Sequence, residues 1–341
     1  MLRRRFISAA LVGIILLWIG GSDGIIHPLL AVSSLYDFGV HADQPTQDSQ
    51  MPHNAHTHWP SHLARPALKL AKSDPRSLLE AKAGEILFVT VNVKEPDPVV
   101  LGKFRDHTIP FFKIDLAGRY GGLIGIDLAD GPAQEELKVQ VLEGSKARTV
   151  RRYRLKVHRA KFGVQQLTLP RESVDLDEET LQRVEAEQQQ MIENLSGVTA
   201  KKLWRGQFMI PVEGKMAGTF GLKRVINGQA RNPHSGEDIY APEGTEIAAS
   251  NDGIVKLTGD FFFSGKSIVV DHGLGLFTTY FHLSEVRVKE GQQVSKGQTI
   301  GRVGATGRAT GPHLHWGMRI NGARVNPLSL MKLPLDTIGI E

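Results

Sequence analysis

The 341-residue sequence contains no cysteine. Disulfides, thiolate nucleophiles and cysteine-ligated zinc are therefore excluded, and any metal site has to be built from histidine and carboxylate side chains. The absence does not fix the compartment, because an exported protein need not carry disulfides. The sequence also lacks a concentrated Lys/Arg stripe of the kind that marks nucleic-acid binding. Its formal charge is +5, and residues 1–30 hold Arg3, Arg4, Arg5 and Asp23, so the remainder stands at +3. Such a mild basic balance suits an anionic polymer or a membrane surface, and neither nucleic acid nor a small organic cofactor is expected. A long apolar run is missing as well. Phe6–Ile19 follows the three arginines but is shorter than the roughly 20 residues of a spanning helix, which reads as an export signal before a membrane anchor.

What is present divides into segments. The length suits two domains, and 41% hydrophobic with 23% charged residues is enough for a packed core in each. Residues 1–42 form the export signal, with small-residue cleavage sites at Leu29-Leu30-Ala31 and Val40-His41-Ala42, or a retained N-terminal anchor. Residues 43–83 read as a disordered linker containing Pro and His; His53, His56, His58 and His62 lack accompanying carboxylates, which favours a solvated tether over a metal-gathering tract. Residues 84–172 carry short β-branched and aromatic runs at Ile86–Val93, Ile109–Ile114, Leu123–Leu128, Leu137–Leu142, Tyr153–Val157 and Gln165–Leu169, separated by Gly, Pro or Asp. That spacing predicts a small Ig-like β-sandwich. Residues 173–204 predict a helical connector, opening at Asp175–Glu178 with Leu181, Val184, Gln188, Met191 and Ile192 at helical spacing. Residues 205–330 return to strands and Gly-rich turns, an antiparallel β domain, and 331–341 are a tail. The fold class is mainly β.

The chemistry-bearing residues gather in this last domain. His234 and Asp238 sit in Asn232-Pro233-His234-Ser235-Gly236-Glu237-Asp238, a bent loop entering a strand, and both side chains suit Zn²⁺. Gly311-Pro312-His313-Leu314-His315-Trp316 reads as the start of a strand, in which His313 and His315 project from one face. Tyr280-Phe281-His282-Leu283 is strand-like too, with Tyr280 and His282 on a shared face. Taken singly, each group also reads as ordinary polar structure.

Together with Phe220-Gly221-Leu222-Lys223-Arg224 and Asp271-His272-Gly273, these motifs occur in an order that resembles the LytM or lysostaphin-type zinc peptidases, family M23, over about Phe208 to Pro327. The β module and helix before them are similar to the extension of Gram-negative members. The resemblance implies one Zn²⁺ per chain held by His234, Asp238 and His315, with a water in the fourth position, and His282 and His313 beside that water as catalytic groups. Tyr280 and Arg308 are candidate substrate contacts, with Phe261-Phe262-Phe263 nearby, and His272 is expected to be structural. Glu237 and Tyr240 depart from the family pattern; strand alternation is expected to turn Glu237 away from the metal. The implied function is a metalloendopeptidase cutting peptide cross-links of peptidoglycan, in the periplasm or cell envelope, membrane-associated if the N-terminal segment is retained. The alternatives are a catalytically silent member that activates another wall hydrolase, and a protease of ordinary proteins. The β domain at 84–170 is expected to be dispensable for some activity.

Overall fold

In the computed structural model, residues 78–335 are described, apart from Ser145, Leu169, Pro170, Glu172 and Ser173. The export segment, the histidine tract and residues 336–341 lie outside the described residues. No described helix is long and apolar enough to cross a membrane.

The N-terminal part holds β1 (Leu78–Lys82), β2 (Ile86–Asn92), β3 (Val99–Phe104), β4 (His107–Pro110), β5 (Phe112–Lys113), β6 (Arg119–Gly125), β7 (Ala133–Glu143), β8 (Lys146–His158) and β9 (Val164–Leu167). In β7 and β8 the period-two pattern is plain: Leu137, Val139 and Val141, like Tyr153, Leu155 and Val157, are buried and alternate with polar residues. A five-stranded sheet in the order β1-β8-β7-β3-β4 stacks on a three-stranded sheet, β2-β6-β5. Val89, Val91, Ile124, Leu137 and Leu155 belong to the core between them, the sandwich expected from the sequence.

Two segments differ from expectation. The strand β1 falls in the stretch read as linker; its Leu-Leu-Glu-Ala-Lys sequence has no strand pattern of its own, and parallel pairing with β8 makes it one. The run at Gln165, grouped above with the N-terminal module, instead pairs in parallel with β11 (Lys223–Ile226) of the C-terminal part.

Between the two parts runs α1 (Glu178–Ser196). Asp177 caps it by accepting from the Thr180 amide at 2.8 Å, which contributes on the order of 1 kcal/mol. Val184, Met191 and Leu195 are buried, and Met191 and Leu195 pack with Leu257, Phe261, Val269, Phe277 and Phe281. The expected connector is therefore also a cover for one face of the sheet beyond it.

That sheet is built from β10 (Lys215–Met216), β13 (Gly236–Tyr240), β14 (Glu246–Ala248), β15 (Gly253–Phe261), β16 (Gly265–Asp271), β17 (Leu276–Val286), β18 (Gln293–Val294), β19 (Thr299–Val303), β20 (His313–Ile320) and β21 (Ala323–Arg324). Its main path is β10-β13-β20-β17-β16-β15-β18, and all its pairings are antiparallel. The strands β12 (Gln229–Arg231), β11 and β9 form a separate small sheet, and α2 (Pro327–Met331) closes the described chain.

The two parts are fused. Ile86, Phe112, Ile114 and Leu123 share one apolar cluster with Trp204, Phe208, Leu276 and Ile320, and the Phe112 and Trp204 rings meet edge to face at 5.4 Å. Arg324 donates through Nη2 and Nε to the two carboxylate oxygens of Asp127 at 2.7 and 3.0 Å. Burial alone would raise the Asp127 carboxyl; the bonds and charge of Arg324 outweigh it and hold the group below its ordinary range. Removing residues 84–170 would uncover Trp204 and Ile320, a cost that weighs against the expectation that such a deletion leaves some activity. Replacing Arg324 with alanine leaves Asp127 without its cation and is expected to lower the unfolding free energy by about 2 kcal/mol, measured by urea denaturation.

Candidate metal centre and active site

The strands β13 and β20 pair so that Asp238 lies directly opposite His315, and Tyr240 opposite His313. His234 stands in the turn just before β13. Its Nε2 lies 2.8 Å from His315 Nδ1 and 3.2 Å from Asp238 Oδ1, and His315 Nδ1 lies 3.0 Å from the same carboxylate oxygen. All three side chains are buried. Two imidazole nitrogens and a carboxylate oxygen thus converge on one point, where a proton could satisfy one contact and a cation all three. Zinc bonds of about 2.0–2.1 Å give a tetrahedral edge of about 3.3 Å, close to this triangle. Burial and the nearby Arg224 charge push His234 down to about 3, and burial also lowers His315, so both rings are neutral at pH 7 and keep lone pairs for a metal. Close backbone approach is needed here: a Cβ on Gly236 would stand 2.5 Å from His315 Nε2 and 2.8 Å from the Trp316 carbonyl.

His313 and His282 complete the cluster. The His313 Nε2 is 3.9 Å from Asp238 Oδ1, and the His282 and His313 rings are 4.8 Å apart. Each ring is oriented by its other nitrogen: His313 Nδ1 donates to the Gly311 carbonyl and His282 Nδ1 to the Thr306 carbonyl, both at 2.9 Å. A carbonyl can only accept, so the proton sits on Nδ1 in both rings and Nε2 carries a lone pair. Neither Nε2 has a hydrogen-bond partner among the described residues. Burial, with the charges His313 and His315 would carry, holds His282 well below its ordinary range. The arrangement therefore pairs a three-donor metal cradle with two imidazoles whose Nε2 atoms are free to take a proton.

Simple alternation does not place His282 here. Its φ of 64° is left-handed, and β16 and β17 slip register beside it, between Lys266 and Ile268. A left-handed non-glycine residue costs on the order of 1 kcal/mol or more and re-aims the chain. The expectation that Tyr280 shares the His282 face is thereby corrected. Tyr280 is fully buried on the opposite side, where its hydroxyl accepts from the Ser250 amide at 2.9 Å and donates to Ser250 Oγ at 3.0 Å. It does not reach the site as a substrate contact. Arg308 is half-buried, its guanidinium 4.1 Å from the centre of the Phe263 ring and its amide donating to the Phe263 carbonyl at 2.9 Å; the carbonyl of the next residue, Ser264, accepts from the His282 amide.

Support for the cradle comes from residues whose role sequence reasoning missed. Thr219 Oγ1 accepts from the Asp238 amide at 3.1 Å, and the Gly221 amide donates to the His234 carbonyl at 2.8 Å. Glu237 faces away from the metal, as alternation predicts, but it is buried rather than idle. Its carboxylate accepts from the Gly218 amide and from the Phe220 amide at 3.4 Å, pinning the loop that holds both ligands. Arg224 is buried within electrostatic reach of His234 and His315. It lies in a motif that carries the family resemblance, whereas nothing in the sequence marks Thr219.

His272 is structural, as expected. Its Nδ1 donates to the Asp252 carbonyl and its Nε2 accepts from Thr278 Oγ1, both at 2.7 Å. Burial holds it down to about 4, against 6.5 for an ordinary histidine. The unfolded chain binds more protons between those values, so stability from this residue is present above pH 6.5 and lost as pH falls toward 4. The loss is expected to be on the order of 3 kcal/mol. Denaturant melts across this window should show a shallower pH slope for His272→Asn than for the natural chain.

A buried His-Asp-His cradle beside two further buried histidines, on an antiparallel sheet with Gly-rich turns, defines the class of metal-site hydrolases. The sequence model of Peptidase family M23 matches residues 232–327, which contain all five residues. A solved structure assigned to peptidase M23 from Pseudomonas aeruginosa is 31% identical, covering 72% of this chain and 93% of that one, with a TM-score of 0.57. The chain belongs to peptidase family M23. It is also 46% identical over 121 residues to peptidoglycan DD-endopeptidase ShyA of Vibrio cholerae, covering 35% of this chain and 28% of that protein. DD-carboxypeptidase/endopeptidase Mpg of Neisseria meningitidis is 46% identical over 97 residues, covering 28% and 22%. The chain thus spans only about a quarter of these curated relatives.

Proposed function

We propose that the protein is a zinc-dependent endopeptidase that hydrolyses peptide cross-links of peptidoglycan. The observation that carries this reading is the convergence of His234 Nε2, Asp238 Oδ1 and His315 Nδ1 on one point, all within 4.8 Å of one another, beside the two oriented imidazoles. The cradle would hold one Zn²⁺ per chain, which when bound supplies Lewis acidity and lowers the pKa of a coordinated water. The chain's own residues do the rest. His282 or His313 accepts the water proton at its free Nε2 and then, as imidazolium, donates to the leaving amine or stabilises the developing oxyanion. The Gly311 and Thr306 carbonyls keep both rings in the tautomer this requires. Arg308, whose guanidinium lies over the Phe263 ring, is the candidate side chain for holding substrate.

The substrate class is supported by the two relatives, a peptidoglycan DD-endopeptidase and a DD-carboxypeptidase/endopeptidase. Export to the periplasm or cell envelope is supported by the order of Arg3–Arg5 and Phe6–Ile19 in the sequence. The test is release of soluble fragments from dye-labelled sacculi by the full chain, with and without chelator. The expected result is loss of release with chelator and recovery on adding Zn²⁺. Release that is indifferent to chelator and unaffected by Asp238→Ala would contradict the reading.

A further inference from the structure

The outer face of the five-stranded sheet gathers positive charge, much of it from residues 146–161, where eight of sixteen are Lys or Arg. Cross-strand register puts Lys103 of β3 opposite Lys138 of β7, and Lys138 opposite Arg152 of β8, so three cations stand in one row on neighbouring strands. Arg154 and Lys156 continue along β8 on the same exposed face. Like charges directly opposite one another destabilise a sheet, and natural sheets usually pair opposite signs at such positions. Two acids stand among them: Glu136, opposite Arg154 and bonded to Arg152 at 3.0 Å and to Lys138 at 3.3 Å, and Glu80 of β1, opposite Lys156, 3.3 Å from His158. Arg154 and Lys156 make no ion pair among the described residues. The expectation that the sequence lacks a basic stripe is corrected here: residues 146–161 hold eight Lys or Arg, and Arg152, Arg154 and Lys156 alternate with buried Tyr153, Leu155 and Val157 so that they share one face.

Aliphatic side chains flank the charge. Val99 on β3 is 55% exposed, and Leu78 on β1, paired with Arg154, is 57% exposed. We propose that this face is a docking surface for a bilayer carrying anionic phospholipid headgroups. The face is a sheet surface whose charge is spread over about three strands, matching a layer of phosphates better than one small ligand. Arg and Lys stems reach headgroups while Val99 and Leu78 enter the interfacial region. No aromatic side chain is exposed on these strands, which removes the stacking that sugars or single-stranded nucleic acid would use.

The test is cosedimentation of the full chain with vesicles of phosphatidylcholine alone and with about 30% phosphatidylglycerol added. Partition onto neutral vesicles reports any contribution of Phe6–Ile19, which all variants share. The natural chain is expected to favour the anionic vesicles, less so as salt rises from roughly 0.1 to 0.5 M. The triple variant Lys138→Gln, Arg152→Gln, Arg154→Gln is expected to partition on the order of 100-fold more weakly. Its melting temperature is expected to stay close to that of the natural chain, because relief of the like-charge row offsets the loss of the two exposed Glu136 pairs. Lys201→Gln, Lys256→Gln, Lys289→Gln, matched in charge on the other domain, is expected to behave as the natural chain. Equal partition of both triple variants would overturn the proposal, and so would face-dependent binding to purified sacculi or duplex DNA without binding to vesicles.

Discussion

Asp238→Ala is expected to abolish metal binding and to lower cross-link cleavage by at least about three orders of magnitude, because it removes the oxygen that both ligand histidines face. His313→Ala should behave differently. Its Nε2 lies 3.9 Å from Asp238 Oδ1, outside the tight triangle, and its role here is to move a proton. The metal should remain near one per chain while turnover falls roughly 10²–10⁴-fold. Metal content by mass spectrometry, read beside turnover for each variant, checks both. Loss of metal in His313→Ala would move that residue into the ligand set. Retention of metal in Asp238→Ala would remove Asp238 from it.

The second large effect is expected at Glu237, a residue that touches neither metal nor substrate. Its buried carboxylate accepts from the Gly218 and Phe220 amides, on the loop whose Thr219 hydroxyl holds the Asp238 amide. Burial pushes the Glu237 carboxyl up, and the amide bonds offset part of that shift. Alanine would leave these donors buried without an acceptor, at a cost of about 3 kcal/mol or more. Urea denaturation should show that loss, and metal affinity should weaken on the order of tenfold as the loop loosens. Glutamine keeps one accepting oxygen but turns a donor toward an amide donor, so Glu237→Gln should fall between the natural chain and alanine. An unchanged midpoint for Glu237→Ala would show that the loop is held by other contacts.

How far the sequence could be read differs from residue to residue, and the reason is locality. His313 and His315 share a face because strand alternation is a property of a few adjacent residues. The α1 periodicity and the Asp177 cap are local in the same sense. Tyr280 was misplaced because the left-handed turn at His282 is imposed by the slipped pairing of β16 and β17, which no window of the sequence contains. The strand β1 depends wholly on a partner that lies more than 70 residues away. Thr219 and Glu237 gained their roles when a loop folded over the ligand strand, and register among three strands added Lys103 and Lys138 to the cations that residues 146–161 already hold. For the site itself, the ordered motifs carried the ligand residues, while the hydrogen bonds that fix the two imidazole tautomers came from the carbonyls of Thr306 and Gly311, groups every residue has.

The central claim is that this site hydrolyses a peptide bond in a wall cross-link. It is tested most directly by incubating the zinc-loaded full chain with purified cross-linked dimeric muropeptide and weighing the products by mass spectrometry. The account predicts two monomeric muropeptides whose summed mass exceeds the dimer by one water, with glycan intact and no products when chelator is present. A dimer left whole by zinc-loaded protein, or products cut within the sugar chain, would contradict it.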